Sequence, residues 1–173
     1  MTQDARTEEG KEKPGVRVAV LTVSDRSARG ERPDRGGPLL QEYVDRKGWN
    51  LILAGIVPDE KDMIVQTLSQ WSDSGHVDLI LTTGGTGFHP RDVTPEATRE
   101  VLHRPTPGLD ELMRRGGLAE TPRAALSRGT SGIRGKTLII NLPGSPRAIR
   151  QNLESVLEVL EHAVRVCRGD ISA

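Results

Sequence analysis

The stretch VDLILTTGGTG, residues 77–87, changes character at its centre, and that change decides the fold. Val77–Thr82 is short and mostly aliphatic, which predicts a buried strand. Thr83-Gly84-Gly85-Thr86-Gly87 is a glycine turn flanked by hydroxyls. In open α/β sheets, ligands bind outside the carboxyl ends of the strands, where this turn falls. Successive glycines there expose backbone N–H groups and, with the threonine hydroxyls, make a cradle for phosphate or another anion. A tight turn needing unusual dihedrals would also call for glycines. The position at a strand end favours the cradle.

Outward from this turn, strands and helices alternate. Val16–Val23 and Leu51–Val57 read as strands. Pro38–Lys47 has helical spacing of Leu39, Leu40, Tyr43 and Val44, and Gly48 stops it. Pro58 and Asp59 open another helix, with Ile64, Leu68 and Trp71 on one face. Downstream, Thr94 reads as an N-cap, Pro95 as the first helical residue, and Ala97–Leu102 as the continuation. Pro105–Gly108 breaks that helix, and Leu109–Arg115 is a short one. Ala124–Arg134 and Lys136–Leu142 look β-like around Gly135. Ser145 caps the last helix, whose Ile149, Leu153, Val156, Leu160, Ala163 and Cys167 form an apolar stripe. The alternation predicts an α/β domain with a mostly parallel sheet. The loops after Val23, Thr82 and Leu142 then gather at one sheet edge, as one composite site.

Composition narrows the function. A chain of 173 residues is one domain by size. We place it at residues 15–169, after a charged, flexible tail at 1–14. Lys plus Arg number 24 and Asp plus Glu number 24, so nucleic acid and anionic membrane are not expected partners. With two Trp, one Tyr and one Phe, base-stacking platforms are not expected either. One cysteine excludes an intramolecular disulfide framework and suits the cytoplasm. No apolar run reaches the roughly 18 residues of a membrane span, and the charged tail is no secretory signal.

Several residues carry candidate chemistry. Asp59 in PDE (58–60) and Asp92 in RDVTPE (91–96) each follow a strand. Either could simply serve a helix entry. Meeting at one edge, they could hold Mg²⁺ against phosphate oxygens. In NLPGSP (141–146), Gly144 permits close backbone approach and the next helix presents its positive end. Ser24, Asp25 and Asp34 lie in a polar first loop. Other patterns fail. GTSGIRGKT (129–137) has one residue too many for a phosphate loop and precedes a strand. Gly85-Thr86-Gly87 lacks the later glycine of a dinucleotide fingerprint. His76, His89, His103 and His162 lack metal-ligand spacing; three read as surface residues, and His89, beside the glycine turn, is a minor candidate for ligand contact.

Together LTVSDR (21–26), VPDE (57–60), LILTTGGTGF (79–88), PRDVTPEAT (90–98), PGL (107–109), LSR (126–128) and GIRGKTLIINLPGS (132–145) resemble the molybdopterin adenylyltransferases of the MogA/MoaB type and the G domain of gephyrin. The resemblance implies a three-layer α/β/α domain. It implies transfer of AMP from Mg·ATP to molybdopterin, giving adenylylated molybdopterin and pyrophosphate. It carries catalysis and metal binding onto Asp59 and Asp92. Nucleotide contacts fall on Thr83, Gly84, Gly85, Thr86, Gly87, Pro107, Gly108, Pro143, Gly144 and Ser145. Ser24, Asp25, Asp34 and Ser127 fall on the pterin side. A homotrimer, or a hexamer in the MoaB type, is implied, with a downstream molybdate-insertion protein as a further partner. A non-catalytic molybdopterin-binding or assembly protein on the same fold is the alternative, and a nucleotide hydrolase a third.

The neutral charge is a cancellation between regions. Residues 54–112 hold ten acidic against four basic side chains, and residues 114–150 hold one against eight. Arg128, Arg134, Lys136 and Arg147 are candidate anion contacts in the basic stretch. Charge focused in one cleft suits a small polyanionic substrate.

Overall fold

A computed structural model describes residues 15–171; the tail expected at 1–14 lies outside the described residues. The strands are β1 (Arg17–Val23), β2 (Asn50–Val57), β3 (Leu79–Thr83), β4 (Arg104–Pro105), β5 (Ser131–Arg134) and β6 (Thr137–Leu142). The helices are α1 (Asp25–Ala28), α2 (Gly36–Arg46), α3 (Lys61–Asp73), α4 (Thr94–Val101), α5 (Pro107–Leu118) and α6 (Pro146–Arg168). They make one sheet in the order β2-β1-β3-β6-β5-β4. The first four are mutually parallel, while β5 runs antiparallel to β6 and β4 antiparallel to β5.

Side-chain alternation sorts the sheet's two faces. Val18 and Val20 of β1, Leu79 and Leu81 of β3, and Leu138 and Ile140 of β6 point to one layer, with Leu40 of α2 and Leu153 of α6. Ala19, Leu21, Ile80 and Ile139 point to the other, against Ile64 and Leu68 of α3 and Ala97 of α4. This is the expected three-layer α/β/α arrangement with a mostly parallel sheet. Strands buried on both faces read as continuous aliphatic runs for this reason.

The order 2-1-3 matters most. The chain leaves β1 toward one side of the sheet and leaves β3 toward the other. The crevice between their carboxyl ends is therefore a topological switch point, where open α/β sheets bind ligands.

Several local expectations need correction. Residues 124–134 are not one β segment: Pro122–Leu126 is a 3₁₀ turn, and the strand begins only at Ser131. The Thr121 hydroxyl accepts from the Arg123 N–H and starts that turn. Pro107 and Gly108 do not break a helix but open α5, with Pro107 at its first position. Thr94 is not an N-cap; α4 begins at Thr94 after Val93, and the threonine hydroxyl donates instead to the Gly84 carbonyl (2.9 Å). Asp59 does not cap α3, which starts at Lys61 after Glu60. Ser145 does cap α6, accepting from the Ala148 N–H (3.3 Å). Cys167 is only half-buried and burial pushes its thiol up, so it is an inert flank of the core.

Candidate active site

The glycines of the turn are there to let other groups close in. Gly84 has φ +97°, and a Cβ on it would overlap the Val23 carbonyl oxygen at the end of β1. Its N–H donates to the Leu142 carbonyl (3.2 Å) and the Thr83 hydroxyl to the Pro143 carbonyl (2.7 Å). The loops after β3 and β6 are thereby fastened together. Gly85 has φ +67°, and its Cβ would stand 3.0 Å from the Asp59 Oδ1. A Cβ on Gly87 would stand 2.9 Å from the Asp92 Oδ2. The two carboxylates thus pack directly against the glycine turn.

Both aspartates are held from behind. Asp59 Oδ2 accepts from the Asp25 N–H (2.8 Å), and Asp25 Oδ1 accepts from the Asp59 N–H (3.0 Å). Burial pushes the Asp59 carboxyl above the usual range, and the nearby Asp25 and Asp92 charges push the same way. Asp92 Oδ2 accepts from the His89 N–H (3.0 Å), while the His89 ring is exposed and its Nδ1 accepts from the Arg91 N–H (3.1 Å). Among the described residues no three acidic, histidine or cysteine side chains cluster as a self-sufficient metal cage.

Two lobes open here. The first, about 350 Å³, is lined by Ser24, Asp34, Asp59, Thr83, Gly84, Arg32 and Arg35, among others. The second, about 570 Å³, is lined by Thr86, Gly87, Ser127, Pro143, Arg114, Arg123 and Arg147, with Gln151 and Asn152. Gly85, Asp92, Gly144 and Ser145 line both, so the lobes meet at the start of α6. That 23-residue helix aims its positive end at the junction.

Most of the expected residues meet in this cleft. The pterin-side set is divided: Ser24 and Asp34 lie in the first lobe, Ser127 in the second, and Asp25 lines neither. Asp34 also spends its carboxylate inside the chain. It accepts from the Thr22 hydroxyl (2.6 Å) and from the Gly36 and Gly37 N–H groups (3.0 Å each). Pro107 and Gly108 are exposed and line neither lobe.

Of the four candidate anion contacts, only Arg147 lines the cleft. Arg128 is a brace instead, donating to the Gly87 carbonyl (2.8 Å), the Asp92 carbonyl (2.8 Å) and the Glu96 carboxylate. Arg134 pairs with Asp73 (2.8 Å), and Lys136 lies at the opposite end of the sheet, beside Asp78. Sequence reading missed Arg114 and Arg123, which the basic bias of 114–150 signalled only in bulk. It also missed Arg32 and Arg35 on the first loop.

Residues 19–162 match the family model described as "Probable molybdopterin binding domain". The chain belongs to this family. It is 42% identical over 157 residues to a molybdopterin adenylyltransferase of Helicobacter pylori, covering 90% of this chain and 89% of that protein. It is 44% identical over 158 residues to the molybdenum cofactor synthesis protein cinnamon of Drosophila melanogaster, covering 91% of this chain but only 26% of the fly protein. The solved molybdopterin biosynthesis enzyme MoaB of Thermus thermophilus superposes with a TM-score of 0.84 at 53% identity, covering 89% of this chain and 97% of that one. Family membership fits the cleft, whose switch-point crevice, glycine turn and paired carboxylates are built from the matched residues.

Proposed function

We propose that the protein is a molybdopterin adenylyltransferase, acting in molybdenum cofactor biosynthesis with ATP as the second substrate. The observation that carries this reading is the junction: two lobes, each large enough for a small molecule, share Gly85, Asp92, Gly144 and Ser145. Two polyanions bound one per lobe would bring their reacting phosphates together there.

The charge of the linings supports a division of the lobes that puts Ser24 and Asp34, expected on the pterin side, on the nucleotide side instead. The first is lined by Asp34, Asp59 and Asp92 against Arg32 and Arg35, so it suits a nucleotide that arrives with a cation. The second is lined by three arginines against Asp92 and suits an anion that arrives without one. Asp59 and Asp92 fit Mg²⁺ because that ion is commonly held by one or two carboxylates plus substrate phosphates. Mg²⁺ there would neutralise charge on the nucleotide's phosphates.

The rest is the work of the chain. A terminal phosphate of molybdopterin is already ionised, so no general base is required. Its oxygen attacks the α-phosphorus of ATP, and the bond to the bridging oxygen breaks. That oxygen's electron pair leaves on pyrophosphate. The N–H groups of the glycine turn beyond Gly84, whose own N–H is held by the Leu142 carbonyl, and the α6 terminus orient the phosphates and stabilise charge, and the walls fix the approach.

Incubation with molybdopterin, ATP and Mg²⁺ should release pyrophosphate, with little ATP breakdown when molybdopterin is withheld. Tight molybdopterin binding without pyrophosphate would instead mark a binding or assembly protein. ATP breakdown without molybdopterin would mark a hydrolase.

A homo-oligomer, by resemblance a trimer, belongs to the same proposal. It is supported by β2, an edge strand with no charged residue whose Leu51, Ile52, Leu53 and Ile56 are 37–44% exposed. An apolar edge of this length invites another chain.

A further inference from the structure

Four carboxylates crowd the outer rim of the first lobe: Asp25, Asp59, Glu60 and Asp92. Only Asp59 and Asp92 line the cleft. Arg91 pairs with the other two, Asp25 and Glu60. Its Nε donates to Asp25 Oδ2 (3.0 Å) and its Nη2 to Asp25 Oδ1 (2.9 Å), a two-pronged grip. The same Nη2 donates to Glu60 Oε1 (2.8 Å). Asp25 in turn exchanges two hydrogen bonds with Asp59, one in each direction. The guanidinium therefore grips the residue that grips Asp59, and it is covalently next to Asp92.

We infer that Arg91 is a positioning residue for the reaction proposed above: by clamping Asp25 and Glu60 it fixes Asp59 beside Asp92 and leaves those two of the four carboxylates to face the cation and the nucleotide. The inference rests on that functional reading. The planar fork is what the role demands. Asp25 must be oriented as well as neutralised, because one of its carboxylate oxygens also accepts from the Asp59 main chain. Without the fork, Asp25 and Glu60 become free charges facing a polyanion, and the Asp25 carboxylate that holds the Asp59 main-chain N–H loses its fixed orientation. Arg91 lines neither lobe, so it acts through Asp25 and not by touching substrate.

The test compares Arg91→Ala, Arg91→Lys, Asp25→Asn and the Arg91→Ala/Asp25→Asn double variant in the full chain. Residues that orient a metal's ligands typically cost about 10–100-fold in metal affinity or activity when removed. Arg91→Ala should lower kcat and raise the Mg²⁺ half-saturation within that range, with the KM for molybdopterin unchanged. Arg91→Lys should recover part of the loss, since it restores charge but not the fork. The double variant should be little worse than either single one, because both break the same linkage. Unchanged kcat and Mg²⁺ requirement in Arg91→Ala would overturn the inference. So would fully additive losses, or a uniform loss of every ligand with a matching fall in Tm. Mn²⁺ titration followed by electron paramagnetic resonance, with an ATP analogue carrying a methylene between its α and β phosphates, needs no turnover. If the wild type releases no pyrophosphate, the functional reading fails. The brace still stands or falls on whether Arg91→Ala weakens Mn²⁺ binding by about tenfold or more.

Discussion

Asp59 is held at an energetic disadvantage. Burial comes first among the causes, and neighbouring negative charge adds to it. A carboxyl raised in the folded state contributes most below its unfolded value, and that contribution is lost as pH rises through the raised one. At neutral pH its charge therefore burdens the fold. Asp59→Asn should raise Tm near neutrality while lowering pyrophosphate release. The Tm gain should shrink in acid, where the wild-type carboxyl is already protonated. Asp92→Asn should lower kcat on the order of 10²–10³-fold with near-normal folding. Gly84→Ala should be worse than either for stability, by about 3 kcal/mol or more in denaturant titration. It combines a positive φ with overlap on backbone that cannot step aside.

Elements owe their placement to buried polar links as much as to apolar faces. Asn141 of β6 donates to the Thr82 (3.0 Å) and Thr98 (2.9 Å) hydroxyls and accepts from the Thr130 N–H (3.3 Å). It ties β6, β3, α4 and the approach to β5 together beneath the glycine turn. Asn141→Leu should cost about 1–3 kcal/mol for each group left unpaired, read as a lower denaturation midpoint. The central strands, α6 and the glycine turn were legible because aliphatic runs, helical spacing and glycine clusters are local signals. The 3₁₀ turn at Pro122–Leu126 was not: Thr121 and Pro122 signal its start, but Ala124, Ala125 and Leu126 read equally well as strand. Nor could sequence tell that Arg128 faces inward while Arg147 faces the cleft. That difference depends on partners 32 to 41 residues away, Glu96, Asp92 and Gly87. The structure packs the two expected aspartates against the glycine turn, but that the Asp25 N–H holds Asp59 was not legible, because the two residues are 34 positions apart.

For the whole molecule, the exposed β2 edge is the place to test the proposed association. Replacing Leu51 and Leu53 by Lys should shift the mass seen by light scattering toward a smaller species, as lysines block edge pairing. An unchanged mass would place the interface elsewhere. Among the described residues no helix is long and apolar enough to cross a membrane.

At the end of the sheet away from the cleft, Asp78 pairs with Arg17 (2.7 Å) and Arg168 (3.1 Å), and its side chain is only 2% exposed. Burial pushes its carboxyl up, but the Arg17 hydrogen bonds and the two positive charges more than reverse this, leaving it below the usual range. Its stabilisation should therefore be complete above that range and fade as pH falls through the lowered value. Arg17 opens the first strand and Arg168 closes the last helix, so one carboxylate brings the two ends of the domain side by side. A domain closed this way can be spliced into a longer polypeptide, entering and leaving at one spot, with the reaction cleft untouched. Such a closure suits a match that spans 26% of the longer fly protein.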